Sequence, residues 1–227
     1  VILCFMCLGA LGLTQAIPAA AADWCVPPKA PRISIHPTTD NISYDFSLSE
    51  KELNQFDVST VNPYGGNVIT DVGGLMKGGI QTQQESTFGN MTNYGTQEIC
   101  YWHDSINVTI HIHPIVYVAR EFPEGSCMHN AILAHEHQHV VIDREIVNKY
   151  ANLIGQSLQQ EVAHYPIYGP APLSQKETVY AQMKDRVQSI ITTYTQQMSA
   201  ERQQRQQALD NISEYERVNH LCPNERK

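Results

Sequence analysis

Between Tyr165 and Pro172 the chain reads Tyr-Pro-Ile-Tyr-Gly-Pro-Ala-Pro. No helix continues through that segment, because proline lacks the N–H and crowds the preceding turn. On both sides the spacing is helical. Before it, Ile132, His135, His139, Ile142, Ile146, Tyr150 and Leu153 recur every three or four residues. After it, Tyr180, Met183, Val187, Ile190, Tyr194, Met198, Glu201, Arg205, Ala208, Ile212 and Tyr215 do the same. The period predicts one helix from Met128 to about Ala163. It predicts a second from an N-cap at Ser174, with Glu177 completing a capping box, through Tyr215. Two long helices joined by a rigid turn form an antiparallel hairpin.

The N-terminal half reads as sheet. Residues 23–40 carry Pro27, Pro28, Pro31 and Pro37 and form an extended lead-in to a single domain over 41–227. Ile42–Phe46 alternates as a short strand, and Ser49 offers an N-cap to a brief helix. Glycine pairs between 57 and 95 suggest short strands and turns, for instance around Val68–Val72 and Gly79–Glu85. Ile106–Val118 is the clearest strand. Ile106, Val108, Ile110 and Ile112 share one face, and Asn107, Thr109, His111 and His113 the other. Pro114 points to an edge position or a break. His111 and His113 read as the exposed polar face of a half-buried strand, although that spacing also suits a metal pair. The fold class expected is α+β: a small antiparallel sheet packed on the long helical hairpin.

Val1–Leu13 is apolar and uncharged, and Ala19–Ala22 follows. This is the pattern of a signal peptide over 1–22, with a truncated start, since neither Met nor a basic region precedes it. The apolar run is short for a bilayer span, so no stable membrane insertion is expected after cleavage. Apart from Cys4 and Cys7 in that segment, four cysteines remain: Cys25, Cys100, Cys127 and Cys222. An even number in an exported chain implies two disulfides. All three pairings are open; Cys127 with Cys222 is favoured, since both fall toward one end of the hairpin. The net charge of -8 and scattered basic residues exclude a nucleic-acid binder. The expected location is secreted or periplasmic, in a bacterium.

The first helix carries His135, Glu136 and His139 as H-E-x-x-H. Residues i and i+4 lie one turn apart on one face, so two imidazoles can reach one Zn2+ ion. Glu136 is then placed as general base for the water that the zinc activates. His137 is off that face. A hydrolytic zinc site takes three protein ligands and keeps one position open. If the hairpin turn centres near Gly169, residues 135–139 face 199–203, which makes Glu201 the preferred third ligand. On the core stripe a lone carboxylate is costly to bury, and a metal removes that cost. Glu216 and His220 are alternatives. Glu145 has the local spacing of a third ligand, but an unbroken helix turns it away. Tyr215 or His220 could supply a further donor to the oxyanion of a tetrahedral intermediate. A strand edge around 106–113 could hold an extended peptide.

Several of these features resemble a bacterial domain-of-unknown-function family described as secreted, zinc-dependent proteases. They are Tyr44-Asp45-Phe46 followed by Leu53, Cys100 ahead of Val108–Val118, His135-Glu136-His137-Gln138-His139, and Tyr215 to His220, with Leu221 where the family has Gly. The resemblance spans about Ile42 to His220 and implies a zincin-like exported peptidase acting on a peptide or protein substrate. Two other functions fit the same residues: a non-catalytic envelope interaction protein with a structural metal, and a zinc amidase cutting cell-wall crosslinks.

Overall fold

The computed structural model describes residues 23–56, 62, 64 and 72–225. The expected signal segment 1–22 and most of the Val68–Val72 strand lie outside the described residues. Among the described residues, five strands, a short helix and three longer helices make an α+β fold.

The sheet is built on β4 (Glu98–Val118). Strand β3 (Gly74–Asn93) runs antiparallel to it along its whole length. The other edge of β4 is shared end to end by three strands. Antiparallel β5 (Tyr168–Pro172) pairs at 98–101, parallel β1 (Arg32–Thr39) at 105–112, and parallel β2 (Ser43–Asp45) at 115–117. The sheet is therefore mixed, not antiparallel as expected. Arg32–Thr39, read from its prolines as lead-in, belongs to the sheet as a parallel edge strand.

Pro114 does not place β4 at an edge. The strand is central, and residues 113–114 fall between the register of β1, which ends at Ile112, and that of β2, which begins at Ile115. A residue without an N–H is accommodated where neither parallel neighbour needs one. From Gly74 onward the glycine-rich stretch likewise forms one 20-residue strand rather than several short ones. Gly89 serves close approach: a Cβ there would lie 2.3 Å from Trp102 Nε1.

Helix α1 (Glu50–Leu53) starts at Ser49 with the expected kind of cap, a complete capping box with Glu52. Helix α2 (Cys127–His164) starts at Ser126, whose side chain accepts from His129 N–H. The second long helix departs from expectation at both ends. Leu173–Gln175 is a 3-10 turn, so Ser174 does not cap α3 (Lys176–Leu209), whose start has no side-chain cap. The helical run also breaks at Asp210. Asn211 caps a separate helix, α4 (Ile212–Leu221), by accepting from Glu214 N–H.

The core lies between one face of the sheet and the helices. Ile106, Val108, Ile110 and Ile112 are fully buried against Ile146, Ile154 and Leu158 of α2 and Val187, Ile191 and Met198 of α3. Burying such side chains contributes about 1.5–3 kcal/mol each, which fixes α2 along β4. Two disulfides tie the ends: Cys25–Cys100 joins the N-terminal segment to β4, and Cys127–Cys222 joins the start of α2 to the end of α4. The second is the favoured pairing.

Candidate metal centre

Helix α2 presents His135, Glu136 and His139 inward, each about 5 % exposed. His137 is off this face, and its Nε2 lies 3.0 Å from the Tyr44 hydroxyl. Opposite the two histidines is Asp210, also buried, at the break between α3 and α4. Its Oδ1 lies 3.1 Å from His135 Nε2 and 3.0 Å from His139 Nε2, and the two Nε2 atoms are 3.2 Å apart.

The outer partners decide what these atoms offer. His135 Nδ1 is 3.2 Å from Glu214 Oε1, and a carboxylate only accepts, so Nδ1–H donates outward. His139 Nδ1 donates to Gln206 Oε1 in the same way. The Gln206 amide is oriented by its own NH2 group, which donates to Asp143 Oδ1 at 2.7 Å and to the His139 carbonyl at 3.2 Å. Asp143, fully buried, is held in turn by Arg202 at 2.7 and 3.0 Å. Both Nε2 lone pairs therefore point at each other and at a carboxylate oxygen. Three acceptors converging in a buried space call for positive charge, from protons or from a metal cation. The donor set, two outward-anchored imidazoles and one carboxylate, could hold a metal cation, with the outer carboxylate and amide fixing each ring.

Titration follows the same geometry. Burial opposes charge on His135 and His139, but the Asp210 and Glu136 carboxylates outweigh it, raising His135 and lifting His139 to about 9. Burial pushes the Glu136 carboxyl up to about 7, against the pull of His139 and His135. Glu136 also accepts from the Met76 backbone on β3. Burial, and then the negative charge of Asp210, raises the Tyr215 phenol, which donates to Asp210.

These groups open into a cleft of about 850 Å³. One wall is the edge of β3 at Gly74–Gly79 that no strand among the described residues covers, and the other includes Tyr215, Glu216 and His220. On that edge Met76 N–H meets Glu136, and the Gly78 carbonyl accepts from Arg202 at 3.1 Å. Across 106–112 the strand cannot receive a peptide, because both edges of β4 are already paired there.

Glu201 does not reach the histidines. It pairs with Lys149 at 2.5 Å and accepts from the Tyr150 hydroxyl at 3.1 Å. The register estimate fails because residues 168–172 run extended along β4 before the 3-10 turn, so the reversal is not centred on Gly169. His139 meets Gln206 and Asp143 meets Arg202, several residues later than a turn at Gly169 gives. Glu145 pairs with Arg205 and is turned away, as its helical phase requires. Glu216 and His220 line the cleft but are not among the three converging donors.

The arrangement defines an α+β protein with a candidate His-His-Asp metal centre. No family model, curated protein or solved structure matches the chain.

Proposed function

We propose that the chain is an exported zinc-dependent peptidase of zincin-like design, as its sequence resemblance implies, with His135, His139 and Asp210 as metal ligands and Glu136 as general base. The observation that carries this reading is the convergence of His135 Nε2, His139 Nε2 and Asp210 Oδ1 beside Glu136 at the floor of one open cleft. Zinc bound there would supply a Lewis acid and bring a water toward neutral acidity. Glu136, buried and with its carboxyl raised to about 7, is suited to take a proton from the attacking water and return it to the leaving amine. Tyr215 lines the same cleft, with its ring 5.9 Å from that of His135, and its phenol, which donates to Asp210, could turn to donate to charge developing on the substrate carbonyl. An extended peptide fits along the β3 wall, where main-chain groups line the cleft.

Export is supported by the two disulfides, which persist in oxidising compartments. No helix among the described residues is long and apolar enough to cross a membrane.

The test is Glu136→Gln, assayed for bound zinc and for hydrolysis of casein and of purified peptidoglycan. The expected variant keeps its zinc and loses casein hydrolysis. Casein hydrolysis unchanged in a zinc-loaded variant overturns the reading. Wild-type activity on peptidoglycan alone assigns the site to a cell-wall amidase instead.

A further inference from the structure

On the face of the sheet turned away from α2 and α3, a second group of metal-ligating side chains comes together. Ile110 and Ile112 are fully buried beneath the helices, so the strand alternation sends His111 and His113 to the opposite face. Asp40, in the link between β1 and β2, lies over both rings. Its backbone N–H donates to the Ile112 carbonyl at 3.0 Å. Its Oδ2 is 2.6 Å from His113 Nδ1 and 3.1 Å from His111 Nε2, so one carboxylate oxygen serves two imidazoles. Thr38 Oγ1, 2.8 Å from His111 Nδ1, fixes that ring from behind and turns Nε2 toward Asp40. Gly79 stands opposite His113 on β3, and a Cβ there would meet nothing among the described residues within 4 Å. The flank of His113 is therefore open to an incoming ion.

We propose that Asp40, His111 and His113 form a second binding site for a divalent first-row transition-metal ion, independent of the centre at His135 and His139. Two imidazoles and a carboxylate suit Zn2+ or Cu2+, whereas Ca2+ and Mg2+ take all-oxygen shells. The ligands come from the central strand and from the β1–β2 link, so the ion clips that link to β4 and leaves positions open to solvent. The same contacts can be made by imidazole protons alone, and metal stoichiometry separates the two cases.

The experiment is equilibrium dialysis of the oxidised protein against Zn2+, with metal per chain counted for wild type, His111→Ala/His113→Ala and His135→Ala/His139→Ala. The expected result is two ions per wild-type chain and one for each double variant. Thr38→Val should weaken the second site by about tenfold, as loss of an outer partner does. An unchanged ion count in His111→Ala/His113→Ala overturns the proposal. A wild-type count of one, lost only with His135→Ala/His139→Ala, also overturns it and leaves the first centre standing. A count of one lost only with His111→Ala/His113→Ala upholds it and removes the first. Should the buried His135→Ala/His139→Ala variant not fold, the surface variant still decides. Circular dichroism checks its fold, and Cu2+ electron paramagnetic resonance reads whether nitrogen ligation is lost with it.

Discussion

Asp210 Oδ1 lies 3.0 Å from His139 Nε2, one turn beyond Gln206 at the C-terminal cap of α3. Arg202, Gln206 and Asp210 step by four along one face, so they meet Asp143, His139 and His135 of α2 in turn. The break after Leu209 then brings Glu214 and Tyr215 to His135 from a separate helix.

The first prediction concerns the identity of the third ligand. Asp210→Asn should lower zinc affinity by more than about 100-fold, beyond the 10–100-fold typical of outer partners. Glu201→Gln should leave zinc affinity unchanged, because its partners are Lys149 and Tyr150. Competition with a chromogenic chelator measures both. The reverse ranking would restore the hairpin register estimated from a turn at Gly169.

Gln206 carries the second. It accepts from His139 Nδ1–H and donates to the buried Asp143, so it aims the ring and satisfies the carboxylate together. Gln206→Leu removes both roles at similar volume. Zinc affinity should fall by about 10–100-fold. Stability should fall by about 1–3 kcal/mol, since Asp143 loses a donor inside the protein. Gln206→Glu keeps an acceptor for His139 but sets a carboxylate beside Asp143, and should recover zinc affinity more than stability. Urea unfolding and chelator competition separate the two effects.

A third prediction tests how β3 and α2 meet. A Cβ on Gly74 would sit 2.3 Å from Ile132 Cγ2 and 2.9 Å from Glu136 Oε1. Gly74→Ala must therefore push the strand from the helix or displace Glu136. We expect peptide hydrolysis to drop by at least tenfold with bound zinc unchanged, and stability to fall by about 1–3 kcal/mol from overpacking. Adding Ile132→Ala removes the closer clash and leaves the one with Glu136. If the pair recovers stability but not turnover, the strand's contact with Glu136 is what the glycine protects; recovery of both would reduce Gly74 to a packing role.

Half of the candidate centre was legible from local spacing alone. His135, Glu136 and His139 need only a helical phase, and that phase is strong in α2. Likewise Ile106 to Ile112 alternate cleanly, because one face of β4 is buried and the other is not. Asp210 was hidden by a long-range quantity, the register of α3 on α2, which depends on how residues 165–175 spend their length. Five of them run as a strand on β4. A local clue did exist: Asn211 followed three residues later by Glu214 is a capping signature. It lay inside a stretch whose apolar period continued through Ile212 and Tyr215, and the period outweighed the cap. The glycines of β3 misled for a related reason. They read as turns locally, but the strand is held by pairing with β4 along 20 residues.

The last prediction concerns pH and lies away from the cleft. His103 on β4 is 3 % exposed, packed between Phe88 and Tyr168, and neither ring nitrogen meets a hydrogen-bond partner among the described residues. Burial lowers its pKa from 6.5 to about 4, with only a partial offset from Glu161. A folded pKa below the unfolded one means that protons favour the unfolded chain. Above about pH 6.5 the ring is neutral in both states, and its packing contribution is intact. As pH falls from about 6.5 to 4, stability should decline by up to roughly 3 kcal/mol on this group's account, with the loss complete below 4. His103→Phe keeps a ring of similar shape without the titration. The difference in unfolding free energy between wild type and variant, measured in urea from pH 7.5 to 4, should therefore shift in the variant's favour as pH falls, while carboxylates common to both cancel. A difference that stays flat across that range would mean that the folded protein gives His103 a partner or water when it is protonated.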